Sequence, residues 1–252
     1  MEAAWQDVKR LGRAEGDEAS VSGPERVYLT QAREYDRLIM AEDTDGNLER
    51  HMLESFDFHG KAVVDVGAGT GRLSRWIAPR ADHVHLVDVA APMLEVASET
   101  LDSMGLSGKV SIETADARAL PLEDSSVDVA MAGWVYGHFR YWMPEGWEIM
   151  VDEAVSEMMR VTRPGGDLIV IETMGTGVEE PEAGPLDVYY ERLEVHHGFA
   201  RRVLRTDYLF ASVEEAVEVM GVFFGEGMSE AIRLNDWTRV PECTAVFSRA
   251  NA

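Results

Sequence analysis

The sequence predicts an α/β protein in which helices cover both faces of a mostly parallel sheet, a three-layer α/β/α sandwich. Short apolar, β-branched runs alternate with stretches of helical periodicity through the middle of the chain, and this alternation is typical of parallel sheets. The first apolar run leads directly into a glycine-rich turn. The length of 252 residues and a hydrophobic fraction of 46% are sufficient for one buried core of this kind.

Helices are predicted before the first strand. Residues 1–23 form a polar lead-in interrupted by glycines, and from Pro24 to about Glu42 apolar and aromatic residues recur at helical spacing. A second helix is predicted around Leu48–Phe56. Tyr28 and Tyr35 share one face of the first helix, where they either pack into the core or form a lid over a bound ligand.

Strands and helices then alternate as far as residue 175. The predicted strands are Lys61–Val66, His83–Val87, Lys109–Glu113, Val127–Gly133 and Leu168–Thr173. The predicted helices between them are Arg72–Ala78, about Pro92–Leu101 and about Trp147–Val161, and a turn is predicted at Arg163–Gly166.

The pattern is looser after Gly175. The elements predicted there are a loop over Gly175–Pro185, a helix over Leu186–His197, a strand over Val203–Phe210, a helix from Ser212 to about Phe224, and a last strand over Cys243–Phe247. Ser212 opens its helix because it stands three residues before a glutamate, in a capping-box pattern.

The charge and hydrophobicity of the sequence exclude some classes of binding partner and some cellular locations. The net charge of −23, with no basic stripe to offset it, argues against a nucleic-acid partner. No apolar run approaches the ~20 residues that span a bilayer, and the first residues lack the pattern of a secretion signal, so we expect a cytoplasmic protein without a membrane segment. Cys243 is the only cysteine, which excludes an internal disulfide. His196 and His197 are adjacent on a predicted helix and should point in different directions, so no metal site is predicted.

The glycine-rich turn follows the first strand, at Gly67, Ala68, Gly69, Thr70 and Gly71. Glycines allow positive φ and let a ligand lie directly against the backbone, although such a turn can also be purely structural. The turn has the form G-x-G-x-G, and Arg72 stands where the dinucleotide fingerprint G-x-G-x-x-G has its third glycine. The difference favours a cofactor without a pyrophosphate over NAD.

Carboxylates follow the next two strands. Asp88 ends the second strand, where it can accept hydrogen bonds from ribose hydroxyls in either class of cofactor. Asp116 and the backbone of Ala117 follow the third strand, where they can bind the exocyclic amine and a ring nitrogen of adenine. A simple loop cap is the alternative for Asp116.

Five motifs carry a resemblance to a known family. They are Asp65–Gly71, Val87-Asp88, Ala115–Ala117, Ser126–Val129 and Arg163–Gly166, in that order along the chain. The chain resembles the class I S-adenosylmethionine-dependent methyltransferases, and within them the small-molecule group called type 11. The resemblance covers about residues 60–175 and does not identify the methyl acceptor. It implies a Rossmann-like, mostly parallel sheet of seven strands with the last one antiparallel, completed by Val203–Phe210 and Cys243–Phe247.

The same resemblance implies roles for single residues. Asp65 would steady the glycine loop near the methionine amino group, the backbone at Gly67 and Gly69 would contact the methionine part, and Asp88 would hold the ribose. Met93 would pack on adenine, unless it is only a core residue. The full set of cofactor-binding residues expected is Asp65, Gly67, Ala68, Gly69, Gly71, Asp88, Val89, Met93, Asp116, Ala117, Gly133 and Trp134. We divide the chain into an N-terminal helical lid segment, residues 1–59, and one methyltransferase unit, residues 60–252, with an insertion at 175–200.

The acceptor pocket is expected beside the fourth strand, because Tyr136–Trp142 is unusually aromatic. His138 is the candidate general base, since histidine titrates near neutral pH, and a structural histidine is the alternative. Tyr136, Tyr141 and Glu172 are further candidates for the pocket, as are the two tyrosines of the first helix. Glu172 either orients a cationic acceptor or anchors a loop.

Other functions fit the motifs less well. The stretch Gly133–Tyr136 lacks the Asn/Asp-Pro-Pro-Tyr motif of enzymes that methylate DNA amines, and one cysteine is too few for arsenite methylation. A protein that binds the cofactor as a sensor or scaffold without turnover remains the alternative to an enzyme. The sequence predicts neither the acceptor nor the oligomeric state.

Overall fold

The computed structural model describes residues 31–252. Its strands are β1 Ala62–Val66, β2 His83–Asp88, β3 Val110–Thr114, β4 Val127–Gly133, β5 Thr162–Thr176, β6 Ala200–Arg205, β7 Tyr208–Leu209, β8 Arg239–Val240 and β9 Glu242–Ala250. Its α-helices are α1 Ala32–Ala41, α2 Asn47–Ser55, α3 Arg72–Ile77, α4 Ala91–Ser103, α5 Gly137–Trp142, α6 Trp147–Val161, α7 Asp187–Glu191 and α8 Val213–Asn235. A 3₁₀ turn, Ser107–Lys109, precedes β3, and a π-helical turn, Arg192–His196, follows α7.

Seven of the strands form one sheet in the order β3-β2-β1-β4-β5-β9-β6. The first five run parallel to one another, whereas β9 is antiparallel to both β5 and β6. The predicted seven-stranded, mostly parallel sheet is therefore confirmed. Its strand order reverses between β1 and β4, and in open α/β sheets such a reversal leaves a crevice at the carboxyl ends of the strands.

The sheet separates two apolar layers because successive side chains of a strand point to opposite faces. On one face, Val64 and Val66 pack with α6. On the other, Val63 packs with α2 and α3. A third apolar cluster joins α1 to α8 through Leu38 and Met220. Among the helices of residues 31–252, none has the length and apolarity needed to cross a bilayer.

The predicted strand Val203–Phe210 is wrong in its bounds. The chain leaves the main sheet after β6, and β7 instead pairs with β8 in a separate two-stranded ribbon. Asp207 lies at the break, where its carboxylate accepts hydrogen bonds from the Arg205 side chain and the Glu242 backbone N–H. These polar contacts replace the ladder that a continuous strand would have made.

Three other elements differ from the prediction. The helix that begins after Ser212 continues to Asn235, with Gly225 at φ 77° interrupting it. The predicted helix Leu186–His197 is the short α7 followed by the π-helical turn. The predicted turn Arg163–Gly166 lies inside β5, where a β-carbon at Gly166 would be 2.4 Å from the Asp128 carbonyl oxygen, so this irregular stretch needs glycine.

Candidate functional site

The glycine turn lies at the carboxyl end of β1, between the ends of β2 and β4. The backbone N–H groups of Gly67 and Ala68 both donate to the Val87 carbonyl, at 2.7 and 3.1 Å. Gly67 has φ +66°, and a β-carbon there would be 2.3 Å from a Val135 methyl. Gly71, at φ +83°, precedes α3 and packs against Ala97. The turn is therefore held close to the sheet and has no room for side chains at these positions.

Asp88 fixes the shape of this turn. One carboxylate oxygen accepts from the Gly69 N–H and the other from the Ala90 N–H, each at 2.8 Å. Loss of hydration raises the pKa of Asp88, and these backbone hydrogen bonds oppose the rise. Each carboxylate oxygen has two lone pairs, so Asp88 can still accept from a ligand while it holds the turn. Val89, which follows it, is half-buried.

A small, partly enclosed cavity adjoins the turn. It is lined by Tyr35, Ile39, Asp65, Gly67, Ala68, Gly69, Thr70, Arg72, Leu73, Gly133 and Trp134. Helix α1 thus lies across the glycine turn. A β-carbon at Gly69 would be in van der Waals contact with the Met93 methyl at 3.5 Å and the Tyr35 ring at 3.9 Å, so a side chain there would fill the space beneath them. Tyr28 lies outside the described residues.

Two buried side chains of opposite charge line this cavity. Asp65 accepts a hydrogen bond from the Ser74 hydroxyl at 2.7 Å, and burial raises its pKa to about 7. The Arg72 guanidinium lies over the Trp134 ring, 4.4 Å from its centre, and its Nη1 donates to Glu42 at 2.7 Å. A carboxyl group and a guanidinium cation therefore line the same enclosed space.

Two polar atoms of the cavity residues have no hydrogen-bond partner within residues 31–252. They are Nη2 of Arg72 and the hydroxyl oxygen of Thr70, both buried. Unpaired buried polar groups are costly, and a ligand is one of the reasons they persist. In the sequence, Arg72 served only as evidence against a dinucleotide. Its burial beside the cavity was not predictable, because its partner Glu42 lies thirty positions away in the chain.

Asp116 is less accessible than the sequence implied. Arg118 grips its carboxylate with two side-chain hydrogen bonds, Nη2 to Oδ2 at 2.8 Å and Nε to Oδ1 at 3.1 Å. Ala117 and Met93 are buried, the latter in a small cluster with Tyr35 and neighbouring apolar residues. The Asp116 carboxylate would therefore have to accept hydrogen bonds from both Arg118 and a nucleobase that binds there.

The aromatic stretch after β4 forms the helix α5 and not a loop. Tyr136 is fully buried and stacks on Phe139. Tyr141 is 56% exposed on the short helix, so its place in the acceptor pocket stays a prediction. Trp134 has φ +56°, a strained backbone conformation at the point where the chain leaves the strand.

His138 is half-buried in the first turn of α5. Its ring stacks on Trp142, with centroids 5.1 Å apart, and it donates a hydrogen bond to the Trp134 carbonyl. Loss of hydration lowers the pKa of His138 to about 4, against the smaller opposing effect of that hydrogen bond. The imidazole is therefore neutral near pH 7, and the bond to Trp134 leaves one ring nitrogen with a lone pair.

Glu172 anchors two helices. Its Oε1 accepts from the Tyr189 hydroxyl at 2.8 Å and from the Gly137 N–H at 3.0 Å, and the side chain is 3% exposed. Burial raises the pKa of Glu172 to about 7. Of the two roles considered from the sequence, these contacts support the anchor.

The prediction that His196 and His197 point apart is wrong. Their ring centroids are 4.8 Å apart, and both histidines lie close to Asp152 of α6. Helix α7 opens into a π-helical turn here, and His197 is the residue that ends it. The expected 100° divergence of neighbours applies to a regular α-helix, which this segment is not.

Comparison with known proteins points to one family. Residues 64–170 match the family model described as a methyltransferase domain. The chain is 36% identical over 117 residues to the ubiquinone/menaquinone biosynthesis C-methyltransferase UbiE of Pseudomonas paraeruginosa, covering 45% of this chain and 42% of that protein. It is 31% identical over 176 residues to the UbiE protein of Neisseria gonorrhoeae, covering 66% and 65%. The chain thus spans less than half the length of the first of these relatives.

Solved structures share the fold at low sequence identity. Phosphoethanolamine N-methyltransferase 2 of Haemonchus contortus, in complex with S-adenosyl-L-methionine, matches 92% of this chain and 61% of its own with a TM-score of 0.56 and 18% identity. The YcgJ protein of Bacillus subtilis matches 79% and 95% with a TM-score of 0.52 and 18% identity. The [4+2]-cyclase SpnF matches 99% and 92% with a TM-score of 0.50 and 18% identity.

Proposed function

We propose that this chain, which carries a methyltransferase domain of the class I S-adenosylmethionine-dependent type, transfers a methyl group from S-adenosylmethionine to an O, N or C atom of a small-molecule acceptor. The methyltransferase-domain match and the relatives named as methyltransferases support the reaction class. The solved structures are too different in sequence to support more than the fold, and a cyclase is among them. The argument for function therefore depends on the site.

The observation that carries the proposal is the pair of opposite charges in the cavity at the glycine turn. A methionine end bears an ammonium and a carboxylate on one carbon. Asp65 would receive the ammonium, since its pKa near 7 leaves a carboxyl that gains from a cationic neighbour. The Arg72 Nη2 and the Thr70 hydroxyl, which have no partner in the described part of the chain, would receive the carboxylate. The charges that line the cavity therefore match the polar end of the cofactor. The cavity itself has a volume of about 30 Å³, so the side chains that cover it, Tyr35 among them, have to move outward when the cofactor enters.

The rest of the cofactor would extend along the carboxyl ends of the strands. Asp88 would accept hydrogen bonds from the ribose hydroxyls while it holds the turn, and Val89 lies next to it. Met93, Asp116 and Ala117 would border the adenine. The backbone of the glycine turn and of Gly133 would approach the ligand closely, because a side chain at Gly69 would occupy the space beneath Met93 and Tyr35.

When bound, the cofactor supplies an activated methyl on a cationic sulfur, which is transferred by in-line displacement. The chain contributes position and exclusion of water, the two effects that such a displacement needs most. Trp134 lies at the end of β4 and Tyr35 covers the glycine turn, so both would exclude water from the reacting atoms. His138 would accept a proton from an acceptor that arrives protonated, through the ring nitrogen not bonded to Trp134.

Each segment of the chain has its own role in the proposed function. The segment 1–59 would act as the lid, since its helix α1 contributes Tyr35 and Ile39 to the cavity. Residues 60–252 would form the methyltransferase unit, with 175–200 as an insertion near the acceptor side through the contact of Tyr189 with Glu172. The net charge of −23 favours a small-molecule acceptor over a nucleic acid.

Two ligands that differ only at the methionine end test the assignment of the cavity. S-adenosylhomocysteine carries the amino and carboxyl groups, and methylthioadenosine lacks both. The variant Glu42→Gln/Arg72→Gln removes the cationic donor without leaving an unpaired charge. We expect it to weaken S-adenosylhomocysteine binding about 10–100-fold, the value of a hydrogen bond to a charged group, and to leave methylthioadenosine within about twofold by calorimetry.

A matched control uses the exposed pair that joins α1 to α4. Arg33 and Glu99 are 2.6 Å apart and both more than half exposed. Arg33→Gln/Glu99→Gln should leave both affinities unchanged. Equal weakening of the two ligands in the Arg72 variant would contradict the assignment, because it would indicate general damage to the fold.

Turnover needs its own experiment. A library of metabolites is incubated with S-adenosylmethionine, and release of S-adenosylhomocysteine is measured against protein-free controls. We expect release with at least one phenol, amine or carbon nucleophile. Tight cofactor binding without release for any acceptor would support the alternative, a sensor or scaffold, and would contradict the enzyme.

A further inference from the structure

We propose that Asp152, His196 and His197 form a site for a divalent transition-metal ion, separate from the glycine-turn cavity. The cluster lies where the π-helical turn after α7 meets α6, and both pack in the apolar layer that does not contain Ala68 and Leu73 of the glycine-turn cavity. One ligand atom from each of the three side chains lies within 4.8 Å of the other two. Two imidazoles and a carboxylate are a donor set that suits Zn²⁺, Ni²⁺, Co²⁺ or Cu²⁺.

The local backbone explains how adjacent histidines converge. The His197 N–H donates to the Arg192 carbonyl five residues earlier, the bond that defines a π-helical turn. His197 ends the turn, and Gly198 follows at φ +71°, so the chain changes direction there. The two rings are left 4.8 Å apart at 86° and on the side facing α6.

The distances need little adjustment for a metal ion. The His197 Nε2 is 2.8 Å from the Asp152 Oδ1. Bonds of about 2.0–2.2 Å from three ligands to one ion place the ligand atoms roughly 3–3.5 Å from each other. A small rotation of the exposed His196 and a slight separation of His197 from Asp152 would reach that spacing.

Arg192 influences the affinity of this site for a metal ion. It donates Nε to Oδ1 of Asp152 at 2.8 Å and Nη2 to Oδ2 at 2.5 Å. The ion would take the Oδ1 lone pair that His197 now uses, and the carboxylate would keep its bonds to Arg192. Arg192 would then orient the ligand in the manner of an outer-shell partner, but its positive charge opposes a cation. The site should therefore bind weakly in the native protein, and more tightly when Arg192 is neutral.

Co²⁺ is a suitable probe because its visible absorption reports coordination. Untagged protein of residues 1–252 is titrated with CoCl₂ and then with ZnCl₂. We expect one equivalent of bound Co²⁺, displaced by Zn²⁺, with at least a tenfold loss of affinity in His196→Ala and in Asp152→Asn. Arg192→Gln should raise the Co²⁺ affinity several-fold, an effect that a purely structural hydrogen-bond network does not produce.

The chain contains a second histidine pair that serves as the control. The ring centroids of His83 and His85 are 4.6 Å apart, and each ring makes a hydrogen bond with the Ser111 hydroxyl, which stands in place of a carboxylate. His83→Ala should leave Co²⁺ binding unchanged. Absence of bound Co²⁺, loss of binding in His83→Ala, or an unchanged affinity in a His196→Ala variant that melts like the wild type would each overturn the proposal.

Discussion

Arg72 and Glu42 form a buried ion pair, with the Arg72 Nη1 2.7 Å from the Glu42 Oε2 and both side chains less than a tenth exposed. Glu42 ends α1, and Arg72 begins α3 directly after the glycine turn. The pair therefore connects the helix that covers the cavity to the turn that forms its floor. Because the Arg72 Nη2 has no hydrogen-bond partner within residues 31–252, the same guanidinium is part of the connection and of the proposed ligand contact.

Glu42→Gln should destabilise the protein strongly. It removes the negative partner and leaves the Arg72 charge buried, and breaking a buried pair in this way costs about 3–5 kcal/mol. We expect a loss of about 3 kcal/mol in the free energy of unfolding by urea, since glutamine keeps one acceptor. Glu99→Gln breaks an exposed pair and should cost less than about 1 kcal/mol. Similar losses in the two variants would argue against a structural role for the buried pair.

Asp88→Ala should weaken S-adenosylhomocysteine binding and also lower the melting temperature. The carboxylate caps two backbone N–H groups, so a loss of about 1–3 kcal/mol of stability accompanies the loss of ribose contacts. Asp57 provides the comparison, because it caps only the His59 N–H at an exposed site. Asp57→Ala should leave ligand affinity unchanged. A stable Asp88→Ala variant that binds with wild-type affinity would remove Asp88 from the site.

His138→Gln should reduce turnover while cofactor affinity stays near the wild-type value. A general base contributes about 10²–10⁴-fold, and the low pKa of His138 favours the lower end of that range. A base must be neutral to accept a proton, so wild-type activity should fall as the pH drops through about 4, and this limb should be missing in the variant. A raised acceptor KM with an unchanged pH profile would instead identify a residue that shapes the pocket.

Glu172→Gln tests the anchor through the pH dependence of stability. Burial raises the folded-state pKa of Glu172 from its ordinary value of 4.5 to about 7, so the folded protein binds this proton more tightly than the unfolded chain. The associated stability is complete below about pH 4.5 and is lost as the pH rises through 7. Glutamine has no such proton, so the wild type should lose about 2–3 kcal/mol relative to the variant between pH 5 and pH 8. A pH-independent difference would indicate that Glu172 is ionised throughout.

The parallel core of the fold was predictable because its signals are local. The alternation of β-branched runs with helical periods located β1 to β5, and the bounds of β4 and α6 agree with the prediction. After Gly175 the bounds depend on contacts between distant residues. Asp207 ends the sheet strand through its bond to Glu242, and no pattern near Asp207 announces that partner.

In the candidate site, too, the local features were predictable and the contacts between distant residues were not. The glycine turn and Asp88 are consecutive with their strands, and their proximity follows from the parallel topology. The Glu42 partner of Arg72, the grip of Arg118 on Asp116 and the exposure of Tyr141 depend on three-dimensional packing. Desolvation is likewise invisible in the sequence, so the low pKa of His138 and the high pKa of Asp65 required the structure.

Because α1 covers the glycine turn, we expect it to control how fast a bound cofactor is released and replaced. Five ion pairs among the described residues fasten this helix: Asp36 to Arg75, Glu42 to Arg72, Arg33 to Glu99 on α4, and Arg37 to both Glu215 and Glu218 on α8. A ligand held between Gly69 and Tyr35 would leave only when these pairs open, so its residence time would be set by the helix and hardly by its own affinity. Substrate and product forms of the cofactor should then dissociate at similar rates, and the observed association rate should level off at high ligand concentration.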